Sequence, residues 1–211
     1  MVARPLPRGP LLGRIVRLDP MQPDDLPELF RAIGRPEVFA GGYGGGPAGF
    51  RDTLEGFTEF AEQYYIWDGP GISYTVRLVA GPAAGTVVGT STLGDLDPPS
   101  EHAHLGWTAY APEVWGTAVN PECKLLLLDS AFAAGFGRVK LQADERNARS
   151  RAAIAAIGAT FEGITRRDKL RADGTWRDSA VFSVLIEEWP SVRARLEQRI
   201  AAAEPVPLGA G

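Results

Sequence analysis

The chain is poor in the features that most quickly assign a protein to a class. It has a single cysteine, Cys123, which excludes an internal disulfide and fits a reducing compartment. No apolar run approaches the roughly 20 residues that span a bilayer. Residues 1–14 also lack the apolar core and small-residue cleavage site of a secretory signal, so a cytoplasmic location with no membrane partner is expected. Basic blocks are missing as well. The net charge is −4 and lysine occurs only at 124, 140 and 169, so binding to nucleic acid through phosphate neutralisation is not expected. No repeat and no linker divides the 211 residues. What remains, 45% hydrophobic and 23% charged, is ordinary for a globular protein with a real core. One domain is expected over residues 12–203, between a flexible tail at 1–11 and a disordered tail at 204–211.

Hydrophobic periodicity orders that domain. Residues 14–18 alternate as a strand, while Leu26, Leu29, Phe30 and Ile33 fall at helical spacing within 22–33. A second helix is read at 50–65. β-Branched runs at 72–79 and 86–93 form a hairpin, residues 95–99 a loop, and residues 102–110 the next strand. A helix at 121–136, a strand at 139–143 and a short helix at 148–157 follow, the last capped by Asn147 and stopped by Gly158. A hairpin at 159–166 and 175–186 and a helix at 187–203 close the chain. The fold class is therefore α/β, one mixed sheet with helices on both faces. The glycine run at 41–46 lacks a following Gly-Lys-Ser/Thr and a preceding strand, which excludes a P-loop. It reads as a mobile loop able to close over a substrate, with Tyr43 as a candidate contact.

Residues 105–132 are the centre of this organisation. An extended segment passes through Trp115-Gly116-Thr117-Ala118-Val119 into an apolar helix, with Asn120 as expected N-cap, Pro121 in the first turn and Glu122 behind it. Small residues before a helix N-terminus let an anion approach free N–H groups, so this is a candidate phosphate cradle.

Three motifs give the chain a resemblance to the GCN5-related N-acetyltransferase (GNAT) superfamily, particularly its ribosomal-protein N-terminal acetyltransferase branch. They are His104-Leu105-Gly106-Trp107, the run from Gly116 to Cys123, and Asn147-Ala148-Arg149-Ser150 followed by Ile157-Gly158-Ala159. The resemblance runs over residues 12–196. It implies a splayed central sheet flanked by helices and an acetyl-CoA donor, with no metal. It also implies acetyl transfer to a primary amine, either a small molecule or a protein N-terminus, by direct attack in a ternary complex. By resemblance, the backbone of Trp107, Thr108 and Ala109 holds the pantetheine arm. Trp115, Gly116, Thr117, Ala118, Val119 and Asn120 hold the phosphates, and Asn147, Ser150 and Arg151 complete the cofactor site. Two departures weaken the cradle. Glu113 stands where the family has Gln or Arg, and Pro121 removes an amide; Arg149, Arg151 or Lys124 is the expected compensation.

Acetyl transfer needs a neutral amine, donors for a tetrahedral oxyanion and a proton for the departing thiolate. His104 occupies the place of the family's frequent glutamate and is the candidate base, with a pocket-wall role as the equal alternative. Alternation puts His102, His104 and Gly106 opposite Leu105 and Trp107. His102 and His104 as a metal pair lack a third ligand. By motif position Ser150 is the candidate acid, or simply a first-turn residue. Asp95, Asp97 and Glu101 are either an acidic mouth or solvated surface. Asp178 is either substrate-orienting or paired with Arg177 at the surface. Cys123 reads as core. The alternatives to amine acetylation are a non-catalytic acyl-CoA-binding domain and transfer from another donor such as succinyl-CoA. A homodimer is also possible.

Overall fold

Segments with period-two alternation become strands, and the 3.6-residue patterns between them become helices. The structure, a computed structural model, describes residues 2–79, 81–204 and 206. Its first half runs β1 (Leu11–Leu12), β2 (Val16–Pro20), α1 (Leu26–Ile33), α2 (Pro36–Phe39), α3 (Leu54–Tyr64), β3 (Ile72–Leu78) and β4 (Val87–Asp97). Its second half runs β5 (His102–Tyr110), α4 (Val119–Ala133), β6 (Arg138–Asp144), α5 (Ala148–Ile157), β7 (Thr160–Leu170), β8 (Trp176–Leu185) and α6 (Trp189–Ala201). The strands form one sheet in the order β1-β2-β3-β4-β5-β6-β8-β7. Neighbours are antiparallel except β5 and β6, which run parallel around the α4 crossover.

Helices flank the sheet in two groups, α1 packed with α3 and α4 packed with α6. Leu29 and Ile33 from α1, Tyr74, Leu93, Leu105 and Leu141 from the strands, and Leu127 and Leu128 from α4 are all buried. Two polar devices fix the start of the chain. Arg77 on β3 pairs with Asp25 at 2.6 Å and with Glu28, tying the first turn of α1 to the sheet. The buried Glu122 carboxylate accepts the backbone N–H groups of Arg14, Ile15 and Val16 at 2.9, 2.7 and 2.7 Å, locking α4 against the entry to β2.

Several expectations change. The segment read as a flexible tail is anchored, because Ala3 and Leu6 are buried and the N–H groups of Ala3 and Arg4 reach the carbonyls of Pro98 and Ala134. Met1 and most of 204–211 lie outside the described residues. β4 extends to Asp97, because pairing Gly94 with His104 and Asp97 with His102 satisfies backbone that a loop would leave open. Asp95 is therefore a strand residue. Helix α4 begins at Val119, so Asn120 sits inside the first turn and is not the cap; Thr117 Oγ1 accepts the Val119 N–H at 3.3 Å instead. Proline is tolerated in a first turn, which lets the helix start ahead of Pro121.

The glycine run is folded. It forms short 3-10 turns at Tyr43–Gly45 and Pro47–Gly49, with positive φ at Gly42, Gly44, Gly45 and Gly46 that side-chain-bearing residues rarely adopt. The Asn147 amide donates to the Gly41 carbonyl, and the Ala172 N–H reaches the Gly45 carbonyl at 3.3 Å. The loop is thus pinned on one side by the cap of α5 and on the other by the β7–β8 turn.

Candidate active site

The site begins where two strands part. β5 and β6 pair only at His102, Ala103 and His104, opposite Arg138, Val139 and Lys140. Beyond that point their facing backbone edges are unpaired with each other, an open seam in the middle of a sheet. A second irregularity lies on the other side of β5. Between the pairs Thr92 with Gly106 and Thr90 with Ala109, β4 advances two residues while β5 advances three. The extra residue makes a bulge in which Trp107 takes φ 49°. The bulge breaks the alternation, so Trp107 does not lie opposite His104 as expected. Their rings are 4.8 Å apart, centre to centre.

Two cavities meet over this bulge, sharing Gly106, Trp107 and Gln142 in their walls. One lobe runs from Thr108 and Ala109 past Trp115 and Gly116 to Asn120, and is closed by Asn147, Arg149 and Ser150 of α5 and by Tyr43. The other holds His104, with Gly42, Gly44 and Gly45 on one side and Lys169, Arg171 and Arg177 of the last hairpin on the other.

His104 is 3% exposed. Its Nδ1 lies 2.8 Å from Asp95 Oδ2. A carboxylate only accepts, so Nδ1 carries the hydrogen and Nε2 presents a lone pair. That Nε2 is buried with no hydrogen-bond partner. Gly106 keeps it open, since a Cβ there would stand 2.9 Å from Nε2. Burial is the largest influence and pulls the imidazole below its ordinary value, with Asp95 pulling in the opposite direction. The hydrogen bond from His104 in turn holds the Asp95 carboxyl below the usual range. The arrangement is an oriented imidazole whose Nε2 lone pair has no protein partner.

The other lobe has the character of an anion site. Gly116 adopts φ 79° with open space around it, and the α4 N-terminus follows. Glu113, the unfavourable charge in the sequence, is paired with Arg35 and points its charge there. The Arg149 guanidinium lies 3.6 Å from the centre of the Trp115 ring, which is itself held by a hydrogen bond from Trp115 Nε1 to the Tyr110 carbonyl at 2.9 Å. Lys124 reaches the same lobe from α4. Its Nζ donates to Thr108 Oγ1 at 2.7 Å and Ser91 Oγ at 3.1 Å, and burial pulls its pKa down to about 8. Arg149 and Lys124 thus both bring positive charge to the lining of this lobe. Arg151 does not; it reaches the Glu145 carbonyl and the face of Phe161.

Of the remaining candidates, Trp107, Thr108, Ala109, Trp115, Gly116, Asn120, Asn147 and Ser150 line the cleft, and so does Tyr43. Ala118 and Val119 are buried beneath it, and Thr117 is engaged with the Val114 carbonyl. Both ends of the Asn147 side chain are occupied, by the Ser150 N–H and by the glycine loop. His102 is exposed at the closed end of the seam and absent from both cavity walls. Asp178 accepts the Arg167 N–H at 2.8 Å, while its strand neighbour Arg177 points to the cavity. Alternation along β8 separates them. Cys123 is fully buried and its thiol is pushed up by burial, which removes it as a nucleophile.

The residues that sequence reasoning missed are Asp95 as the partner of His104, Arg177, and the buried pair Arg171–Asp144 at 2.7 Å. Only the second carried a local signal, the position of Arg177 on the opposite strand face from Asp178.

A family model described as Acetyltransferase (GNAT) domain matches residues 16–160. No curated protein matches the chain significantly. Among solved structures, a candidate acetyltransferase from T. thermophilus is 34% identical with a TM-score of 0.79, over 90% of this chain and 96% of that one. A GCN5-related N-acetyltransferase from Brucella melitensis is 26% identical with a TM-score of 0.83, over 96% of this chain and 90% of that one. Mycobacterium smegmatis RimJ, in complex with CoA-disulfide, shares the fold at 22% identity and a TM-score of 0.64, over 90% of this chain and 92% of that one.

Proposed function

Because this chain belongs to the GNAT acetyltransferase family, we propose that it transfers an acetyl group from acetyl-CoA to a primary amine by direct attack. The observation that carries this reading is His104 Nε2, a buried lone pair held toward a cavity by Asp95 and lacking any protein partner. An orphaned buried acceptor is costly unless a ligand supplies the donor, and an attacking amine does.

The residues present fit coenzyme A. The seam between β5 and β6 leaves backbone edges that an arm bearing amide groups could bridge, while Arg149, Lys124 and the α4 N-terminus would hold the phosphates. The CoA-disulfide carried by the RimJ structure supports the same assignment. When bound, acetyl-CoA supplies an acyl group activated as a thioester. His104 Nε2 takes the proton from the amine, and Asp95 keeps the ring in the tautomer that can do so. A backbone N–H of Trp107 or Thr108, the bulge residues without a register partner on β4, would serve as oxyanion donor. Ser150, at the α5 end of the donor lobe, supplies a hydroxyl for the leaving sulfur.

The test is His104→Gln assayed by thiol release from acetyl-CoA with a panel of primary amines. A general base of this kind contributes about 10²- to 10⁴-fold, so kcat should fall by that factor while CoA affinity stays within about twofold. Tight CoA binding with no amine turned over by the wild type would refute transfer and leave a CoA-binding module.

A further inference from the structure

The lobe beside His104 is built for something other than a plain cationic amine. Three cationic side chains of the last hairpin line it, Lys169, Arg171 and Arg177, against one lining carboxylate, Asp144. That carboxylate is committed, because Arg171 Nε and Nη2 both reach Asp144 Oδ2, at 3.0 and 2.7 Å. Asp168, behind the wall, accepts from Ser179 Oγ at 2.6 Å. Asp95 is held by His104 and lies 3.9 Å from Lys140. Arg177 is left over. It is half-buried, its Nε is shut off from solvent with no hydrogen-bond partner, and it makes no ion pair among the described residues. Lys169 stands at the rim, 5.7 Å from the centre of the Trp107 ring. Asp144 and Asp168 attract the half-buried Arg177 guanidinium without accepting a hydrogen bond from it, so its donors remain unmatched, and a planar fork of donors matches a carboxylate.

We propose that Arg177, assisted by Lys169, receives the carboxylate of the acceptor, so that the substrate presents a primary amine to His104 and an anionic group to the last hairpin. This rests on the amine-acetylation reading and names the acceptor class within it: an amino acid, or a peptide whose N-terminal region carries an acidic side chain. The same positive field favours the neutral form of the incoming amine, which is the form the reaction needs.

The experiment compares acceptors that differ only in the anion. Amino acids, their amides, their decarboxylated amines and short peptides with or without Asp at the second position are assayed with wild type, Arg177→Gln and Lys169→Gln. Wild type should use the carboxylate-bearing member of a pair about 10- to 100-fold better in kcat/KM, mostly through KM. Arg177→Gln should erase that preference while leaving the decarboxylated amine within about threefold. Lys169→Gln, at an exposed position that leaves folding intact, should reduce the preference in part. Whichever arm shows the Arg177 dependence identifies the source of the carboxylate. Equal use of decarboxylated amines by wild type, or a preference untouched in Arg177→Gln, would overturn the proposal and leave amine acetylation standing. Calorimetry on CoA-loaded protein separates the converse case. Arg177-dependent binding of an amino acid with no acetylation of any amine would sink transfer and retain the carboxylate site.

Discussion

Replacing Lys124 by methionine should make the protein more stable and the coenzyme weaker. Lys124 is 5% exposed, and no carboxylate lies within ion-pair distance of it among the described residues. Burial moves its pKa from an ordinary lysine value to about 8. At about 1.36 kcal/mol per pKa unit, the folded protein gives up about 3 kcal/mol to keep the ammonium charged at neutral pH. Because the folded value lies below the unfolded one, that cost is carried in full below pH 8. It is relieved as pH rises from about 8 toward 10.4. Against it stand two hydrogen bonds to hydroxyls. Ser91 Oγ and Thr108 Oγ1 are already 2.7 Å apart, so they can pair with each other once the ammonium is gone. Losing the two bonds then costs about 1–2 kcal/mol. The balance is a gain of about 1–2 kcal/mol at pH 7, or roughly 2–8 °C in Tm for a chain of this size. By pH 9.5 the folded wild type has shed most of the proton, and the gap should close by about 2 kcal/mol. The assay is urea unfolding of both proteins at pH 7 and pH 9.5, with calorimetric CoA titration alongside. CoA should bind the variant about tenfold more weakly, ~1.4 kcal/mol. A variant that melts below wild type by the same margin at both pH values would refute the reasoning.

Two further predictions concern the base and the frame. Activity should fall on the acid side of an ionisation below about 6.5, because burial disfavours the imidazolium of His104. Asp95→Asn removes the group that pulls this ionisation upward, so the acid limb of the kcat/KM profile should move to lower pH while kcat drops at least tenfold; a limb that moves upward would contradict the assignment. Glu122→Ala strips the acceptor from the N–H groups of Arg14, Ile15 and Val16. It should cost about 3–5 kcal/mol in urea unfolding, and a loss under 1 kcal/mol would show that these groups find other partners.

The fold was largely legible because its signals are local. The β5 bounds at His102–Tyr110 and the α5 bounds at Ala148–Ile157, with Asn147 and Gly158 at its ends, follow directly from alternation and capping residues. The errors fall where a distant partner decides. Ala3 and Leu6 sit in a Pro-rich stretch that looks loose until Pro98 and Ala134 supply carbonyls for the backbone beside it. The glycine run looks mobile until Asn147 and Ala172, more than 100 residues away, pin both its sides.

The site divides the same way, and the reason bears on how its chemistry arises. Motif reading picked out residues that the fold gathers around the two lobes, since each motif is a contiguous run. It could not show which of the two imidazole nitrogens is free, because that depends on Asp95, a residue on the neighbouring strand that the sequence places in a loop. Nor could simple alternation place Trp107 beside His104, because one additional residue in β5 against β4 reverses the side-chain order at that point. The bulge has three effects at once. It brings the indole of Trp107 onto the imidazole, leaves Trp107 and Thr108 without register partners on β4, and lies where β5 has already separated from β6. A bulge without the separation would expose no seam, and a separation without the bulge would leave β5 fully paired to β4. On the proposed reaction, the site therefore depends on the coincidence of two sheet defects beside a histidine whose neighbour at 106 has no side chain. That coincidence is a property of strand register, which sequence motifs record only indirectly.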